Sequence, residues 1–474
     1  MENNRKEELH VVVFPWLAMG HLIPFFNLSK RIAQSGHKVS FLSTPTNISR
    51  LPKPPPLSSS LSFVSLPFPE IPNLPSAAES ASDVPFRSQP LLKRAFDLLE
   101  PSVLAFLESS SPPVDWILHD YASNWLHPRA AELGSSRAFF SLFNAGWLSF
   151  LGPPAALLDD GGGGRRSVED FTVVPEWVPF ESRLVYRFHE IAKHMDREGD
   201  VDELALTPDT VRFGLAIAES EVVAVRSCKE FEPEWFNLLG ELYRRPVFPA
   251  GFLPPVIEEE HEGDDDEKWT GIKEWLDKRR DNSVIYVAMG SESSLTRGEL
   301  SEFALGLERS ELPFLWVLRN SPEWNQDALE LLPDGFLERV GDRGMVYVGW
   351  APQVRILSHD SVGGFLTHCG WGSIIEGLGF GRVLVLFPVA NDQGINTRIL
   401  SEKGLGVEIP RNELDGSFTS DSVAETVRSA MVDESGESFR VKAKEMKELF
   451  GDRNKNDGYL DEFIHYLKES RKRT

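Results

Sequence analysis

Cysteine is scarce in this chain: Cys228 and Cys369 are the only two among 474 residues. One disulfide is arithmetically possible, but a disulfide framework is not. Reduced thiols and a cytoplasmic setting fit this usage better. Basic residues are also short. Lys and Arg number 49 against 72 Asp and Glu, a formal net charge of −23. That balance argues against a nucleic-acid partner, which needs a basic stripe, and against docking on anionic lipid. No apolar run approaches the roughly 18 residues of a membrane-crossing helix, so no integral membrane contact is expected. The opening MENNRKEELH has no apolar signal core or cleavage site. Common motifs are missing too: G-x-x-x-x-G-K-[ST], G-x-G-x-x-G after the first strand candidate, H-E-x-x-H, C-x-x-C and G-x-S-x-G. Their absence sets aside the commonest kinase, nicotinamide, metalloprotease and esterase chemistries.

What is present has the balance of an ordinary globular chain, 41% hydrophobic and 26% charged. Short β-branched or aromatic runs alternate with helical patterns. In the first half these are His10–Trp16, Lys38–Ser43, Leu61–Leu66, Asp115–His119, Ala138–Leu142 and Val222–Ser227. In the second half they are Val284–Met289, Phe314–Leu318, Met345–Gly349, Gly363–Leu366, Val383–Phe387 and Gly406–Ile409. Strands separated by helices read as βαβ units in parallel sheets. The two series predict an α/β fold of two doubly wound, Rossmann-like domains. The expected division is 1–248 for the first domain, 249–270 for an acidic, proline-led linker, 271–450 for the second domain, and 451–474 for a helix packing back on the first. The acidic run Glu258–Glu267 reads as a solvated linker.

Three places could carry chemistry. Gly363–Gly377, GGFLTHCGWGSIIEG, reads as strand, turn and helix. A glycine-bearing turn into a helix N-terminus is an anion site, with His368 at the strand end. Ser373 and Glu376 also fit a capping box, which needs no ligand; both readings stay open. Gly20–His21 follows the first strand, where a histidine could be a general base or merely cap a helix. Asp120 ends the fourth strand candidate; it could orient that imidazole or be an N-cap. The spacing alone does not decide.

The stretch Trp350–Gln393, WAPQVRILSHDSVGGFLTHCGWGSIIEGLGFGRVLVLFPVANDQ, closely resembles the signature box of plant family-1 UDP-glycosyltransferases at its full length. It opens with Trp-Ala-Pro-Gln, carries His-Cys-Gly-Trp in its middle and ends with Asp-Gln. PWLAMGHLIPFFNLSKRIAQSGHKVSFLSTPTNISRL, DWILHDYASNWLHPRAAELG, AVRSCKEFEPEW and YVAMGSESSL have counterparts in the same family. The resemblance is nearest to the group that glycosylates existing glycosides, often named glucosyl- or rhamnosyltransferases.

The resemblance implies a GT-B fold, two domains facing across a cleft, and an inverting, metal-independent transfer with no cofactor. The UDP-sugar is a co-substrate, the acceptor is a small molecule, and a monomer is expected. By position, His21 is the base and Asp120 its partner. Trp350 stacks on the uracil, Ala351 bonds its edge, Gln353 belongs to the UDP site, and Glu376 takes the ribose. Ser291, His368, Gly372, Ser373 and the helix amides hold the diphosphate, while Ser141, Trp371, Asp392 and Gln393 grip the sugar. One departure stands out: Gly372 replaces the usual Asn, a phosphate donor, and restoring Asn is expected to tighten UDP, or to weaken it if the turn needs glycine for close backbone approach or a positive φ. Two rivals come from other classes, a catalytically weak UDP-sugar-binding protein and a nicotinamide oxidoreductase. The acceptor is expected to meet loops 74–87, 147–153 and 177–195, with Phe86, Trp147, Phe180, Tyr186 and Phe188.

Overall fold

The computed structural model describes residues 8–52, 60–158, 165–198, 206–255, 265–290, 295–320, 324 and 326–472. Ser291 and positions 256–264 of the expected linker lie outside the described residues.

The first half builds β1 (His10–Phe14), β2 (Lys38–Ser43), β3 (Leu61–Ser65), β4 (Trp116–His119), β5 (Ser136–Ser141), β6 (Val222–Val225) and β7 (Val247–Pro249). They form a seven-stranded sheet in the order β3-β2-β1-β4-β5-β6-β7. The second half builds β8 (Val284–Ala288), β9 (Phe314–Leu318), β10 (Gly344–Val348), β11 (Val362–Thr367), β12 (Val383–Leu386) and β13 (Gly406–Glu408). These form a six-stranded sheet in the order β10-β9-β8-β11-β12-β13. Every strand pair is parallel. Helices on both faces explain why central strands read as unbroken apolar runs. In β1, Val12 and Phe14 enter one core and Val11 and Val13 the other.

The junction differs in detail from the reading of the sequence. β7, which is not among the strand candidates, sits at the edge of the first sheet and ends on Pro249, the first position of the expected linker. An edge position is where a strand tolerates proline, here Pro249. The helix Asp265–Leu276 begins inside the expected linker.

The chain end crosses back. Helix Glu437–Gly451 packs on helix Trp371–Gly379 of the second half. Helix Arg453–Glu469 then lays Leu460, Phe463, Ile464 and Leu467 on the core that holds Val11 and Val13. The Trp116 indole donates to the Leu467 carbonyl at 2.9 Å, and Arg471 pairs with Asp115 at 2.6 Å.

Both sheets change direction between neighbouring strands, at β1/β4 and at β8/β11. Open α/β sheets bind ligands beyond the carboxyl ends of strands at such switch points. His21 and Asp120 follow β1 and β4, while Gly290 and His368 follow β8 and β11. Bonds between the two carboxyl edges show that they face each other: the Trp371 indole donates to the Arg226 carbonyl at 2.7 Å, and Asn144 donates to Asn396 at 2.6 Å.

Candidate active site

On the first edge, helix Met19–Gln34 starts directly after β1 and carries His21 in its first turn. Its Nδ1 lies 2.6 Å from Asp120 Oδ2. Asp120 is itself fixed: Oδ2 accepts from the Trp16 N–H at 3.1 Å and Oδ1 from the Tyr121 N–H at 2.7 Å. Its side chain is 3% exposed and that of His21 17%. A carboxylate can only accept, so Nδ1 carries the proton and Nε2 is left as the lone-pair nitrogen. Asp120 is not a helix N-cap here; the helix Leu126–Glu132 that follows has Trp125 in that position.

Rings surround this pair. Tyr121 and Phe143 each lie 6.2 Å from the His21 ring. Phe143 stacks on Trp147 at 4.2 Å, and Tyr121 on Phe213 at 4.4 Å. Of these, the sequence pointed only to Trp147. Of the other rings expected at the acceptor, Tyr186 is buried; it accepts from the Trp147 indole and donates to the Asn391 carbonyl, each at 2.9 Å. Phe180 packs edge-on against Trp235.

On the second edge, helix Trp371–Gly379 has Gly370 as N-cap, and no side chain caps it. The capping-box reading of Ser373 and Glu376 is therefore corrected: Ser373 is the third helical residue, one turn too late to cap. The opening amides remain available, with the positive end of the helix dipole, for an anion. His368 lies just before this turn, held between two glycines. A Cβ at Gly290 (φ +78°) or at Gly370 would stand 2.5 Å from its Nε2. Burial, helped by the charge of Arg319, pulls its pKa down to about 4. It is neutral at physiological pH and can donate without adding charge.

Glu376 lies one turn into the same helix. Its Oε2 accepts from Gln353 at 2.7 Å, and Gln353 Oε1 accepts from Tyr286 at 3.3 Å. Burial pushes the Glu376 carboxyl up, against the pulls of Gln353 and Arg226. Trp350 follows β10 and is 52% exposed, although large and aromatic. The Arg319 guanidinium covers one ring face at 4.2 Å from the centroid, and a planar base can take the other. Ala351 is 6% exposed beside it.

After β12, Gln393 Oε1 accepts from the N–H groups of Val389 and Ala390, both at 2.9 Å. This fixes the amide with its nitrogen as the donor for a ligand. Asp392 is the N-cap residue of helix Gln393–Lys403, and its Oδ2 accepts from Asn396 at 2.6 Å. Two sugar assignments change. The Trp371 side chain is 3% exposed, packs near Phe231 and Phe252, and has its single donor on Arg226; it joins the domains, and only its backbone amide is left for a ligand. Ser141 is 1% exposed, and its hydroxyl closes a turn with the Phe143 N–H and carbonyl. Among the described residues, no group of three His, Cys, Asp or Glu side chains could hold a metal ion.

The sequence did not point to Arg226 or Arg319. Both follow strands, β6 and β9, at their carboxyl ends; that position was the signal. Cys228 and Cys369 are free thiols, both buried.

Comparison with known proteins agrees with this fold. A family model described as "UDP-glucoronosyl and UDP-glucosyl transferase" matches residues 246–453. UDP-glycosyltransferase 91C1 of Arabidopsis thaliana is 57% identical over 470 residues, 99% of this chain and 98% of that protein. Soyasaponin III rhamnosyltransferase of Glycine max is 40% identical, covering 98% and 96%. The crystal structure of Arabidopsis thaliana UGT89C1 complexed with UDP-L-rhamnose superposes with a TM-score of 0.73 at 26% identity, covering 97% and 99%. The paired switch points, the His21–Asp120 pair and the uncapped helix Trp371–Gly379 thus lie in an enzyme that moves sugars from UDP-sugars to small plant molecules, and the chain is a member of the plant family-1 UDP-glycosyltransferases.

Proposed function

We propose that this enzyme transfers glucose or rhamnose from its UDP-sugar to a hydroxyl of an already glycosylated flavonoid or terpenoid, in one inverting displacement. The observation that carries the mechanism is the 2.6 Å bond between His21 and Asp120 at the first switch point. In this reading His21 Nε2 takes the acceptor hydroxyl proton as its oxygen attacks the anomeric carbon. The bond from that carbon to the diphosphate breaks, and UDP leaves with the electron pair. Asp120 stabilises the imidazolium. His368, Ser373 and the amides of helix Trp371–Gly379 receive the diphosphate charge, an electrostatic contribution of the kind that usually dominates.

Trp350 and Ala351 take the uracil, and Glu376 and Gln353 the ribose. The sugar meets Asp392, Gln393 and the Trp371 amide. The ring-lined surroundings of His21 suit a flat or polycyclic acceptor. The name of the Glycine max relative, a rhamnosyltransferase acting on a soyasaponin, supports rhamnose and a glycosylated terpenoid. No helix among the described residues is long and apolar enough to cross a membrane; a cytoplasmic monomer is part of the proposal.

The test is a donor panel, UDP-glucose and UDP-rhamnose, against flavonoid and terpenoid glycosides, with product anomers read by NMR. Transfer with inversion supports the reading. Retained configuration overturns the single displacement, and UDP-sugar binding without transfer to any acceptor would favour a binding protein.

A further inference from the structure

Arg226 carries a buried charge to the junction of the two domains. It follows β6 in the first domain, yet its side chain reaches the donor helix of the second. Its backbone is pinned: the N–H donates to the Ser141 carbonyl at 2.9 Å, and the carbonyl accepts the Trp371 indole at 2.7 Å. Its Nε donates to the Phe252 carbonyl at 2.9 Å. Among the described residues its two terminal nitrogens have no hydrogen-bond partner, although the residue is only 5% exposed. A Cβ on Gly372 would stand 3.5 Å from Nη1.

Burial lowers this guanidinium to about 10, so it is charged at neutral pH. A buried cation here lies beside the uncapped N-terminus of helix Trp371–Gly379, which is itself positive. His368 is neutral and gives no relief. Glu376 is a counter-charge, but its Oε2 already holds Gln353. Two like fields meet there, and among the described residues Glu376 is the one counter-charge acting on the guanidinium, with no hydrogen bond between them. An anion entering there satisfies both, and burying a charge without a partner is otherwise costly.

We propose that Arg226 is a diphosphate ligand supplied across the domain junction, and that Gly372 is small because the guanidinium fills the space an Asn side chain would take. This rests on the UDP-sugar reading above and adds to it a residue from the other domain. Gly372 is outside the left-handed region and its Cβ contact is an ordinary one, so neither backbone strain nor a clash at Cβ explains the glycine; what a longer side chain would meet is the guanidinium. Donor binding then links the domains: the diphosphate bonds the helix of one and the arginine of the other. The earlier expectation for Gly372→Asn also reverses. With Arg226 in place, Asn competes for its space and weakens UDP.

The test is calorimetric titration of UDP and of uridine into the full chain and its variants. Arg226→Met should weaken UDP roughly ten- to a hundredfold, the size of lost bonds to a charged group, and leave uridine within about twofold, the scatter left by changes that do not touch a bound group. Arg226→Lys keeps the charge without the fork and should fall between. Gly372→Asn should weaken UDP in the wild type and strengthen it in Arg226→Met. Melting curves identify any variant that fails to fold, and the Gly372→Asn titration, which keeps Arg226, then decides. Equal losses for UDP and uridine would make Arg226 only the counter-ion of Glu376 and overturn the proposal. So would unchanged UDP affinity in Arg226→Met, or tighter UDP in Gly372→Asn alone. A wild-type chain that binds no UDP would instead remove the UDP-sugar reading itself, and the proposal with it.

Discussion

Asp120 holds His21 with the same oxygen that accepts the Trp16 N–H, so the carboxylate is locked to the end of β1 before it touches the imidazole. Its orientation belongs to the fold rather than to the ligand. Asp120→Asn keeps the shape, removes the negative charge and leaves one accepting oxygen where the carboxylate uses two. Both Asp120→Asn and His21→Ala should lose about 10²–10⁴-fold in kcat, the usual contribution of a general base, with UDP affinity unchanged. Kinetics beside UDP titration checks this; wild-type turnover in either variant would remove the base from His21.

Trp350 is a large aromatic left half exposed, and Arg319 covers only one face. Trp350→Ala should therefore leave stability within about 0.5 kcal/mol. It should weaken UDP and uridine alike by about 1–3 kcal/mol, the range for base stacking. A melting curve and two titrations suffice. A loss confined to UDP would move the tryptophan from the base to the phosphates.

Glu376 is not part of a cap, because Gly370 occupies that place. Glu376→Ala should therefore spare the cap's roughly 0.5–2 kcal/mol, and weaken uridine as much as UDP through the ribose. If UDP and uridine bound Glu376→Ala as they bind the wild type, the ribose assignment would fail.

Acid should destabilise the enzyme below neutral pH. Burial lowers His119 from 6.5 to about 4, and His189 and His368 likewise to about 4. Between those values the unfolded chain holds protons that the folded chain refuses. Stability is full above 6.5, falls as pH drops, and the loss is complete below about 4; each histidine contributes up to about 1.4 kcal/mol per pH unit. Glu232 and Glu376, raised by burial, act in the opposite sense. His119→Gln should flatten the slope of unfolding free energy between pH 6.5 and 4 by up to one proton. An unchanged slope would show that His119 does not titrate on unfolding.

Much of this was legible because the carriers are local. Parallel strands buried on both faces spell themselves as apolar runs. The Trp350–Gln393 box names its own turn and helix. β7 escaped because three residues ending in proline are too short and too broken to read as a strand until an edge position is there to take them. Ser373 and Glu376 have the spacing of a cap, but the helix start is set by the turn at Gly370. Trp371 and Arg226 stand far apart in sequence, and no local pattern says that an indole N–H will meet a carbonyl of the other domain. Tyr121, Phe143 and Phe213 became one wall only through tertiary packing.

The bonds across the junction also limit how relatives can exchange parts. Asn144 meets Asn396, Trp371 meets Arg226, and Arg398 of the second domain pairs with Glu190 of the first at 2.7 Å. A chimera taking its acceptor half from one relative and its donor half from another would separate these couples. It would inherit half of each agreement, so an exchange of specificity must carry the paired side chains with it or cut the chain where they remain together.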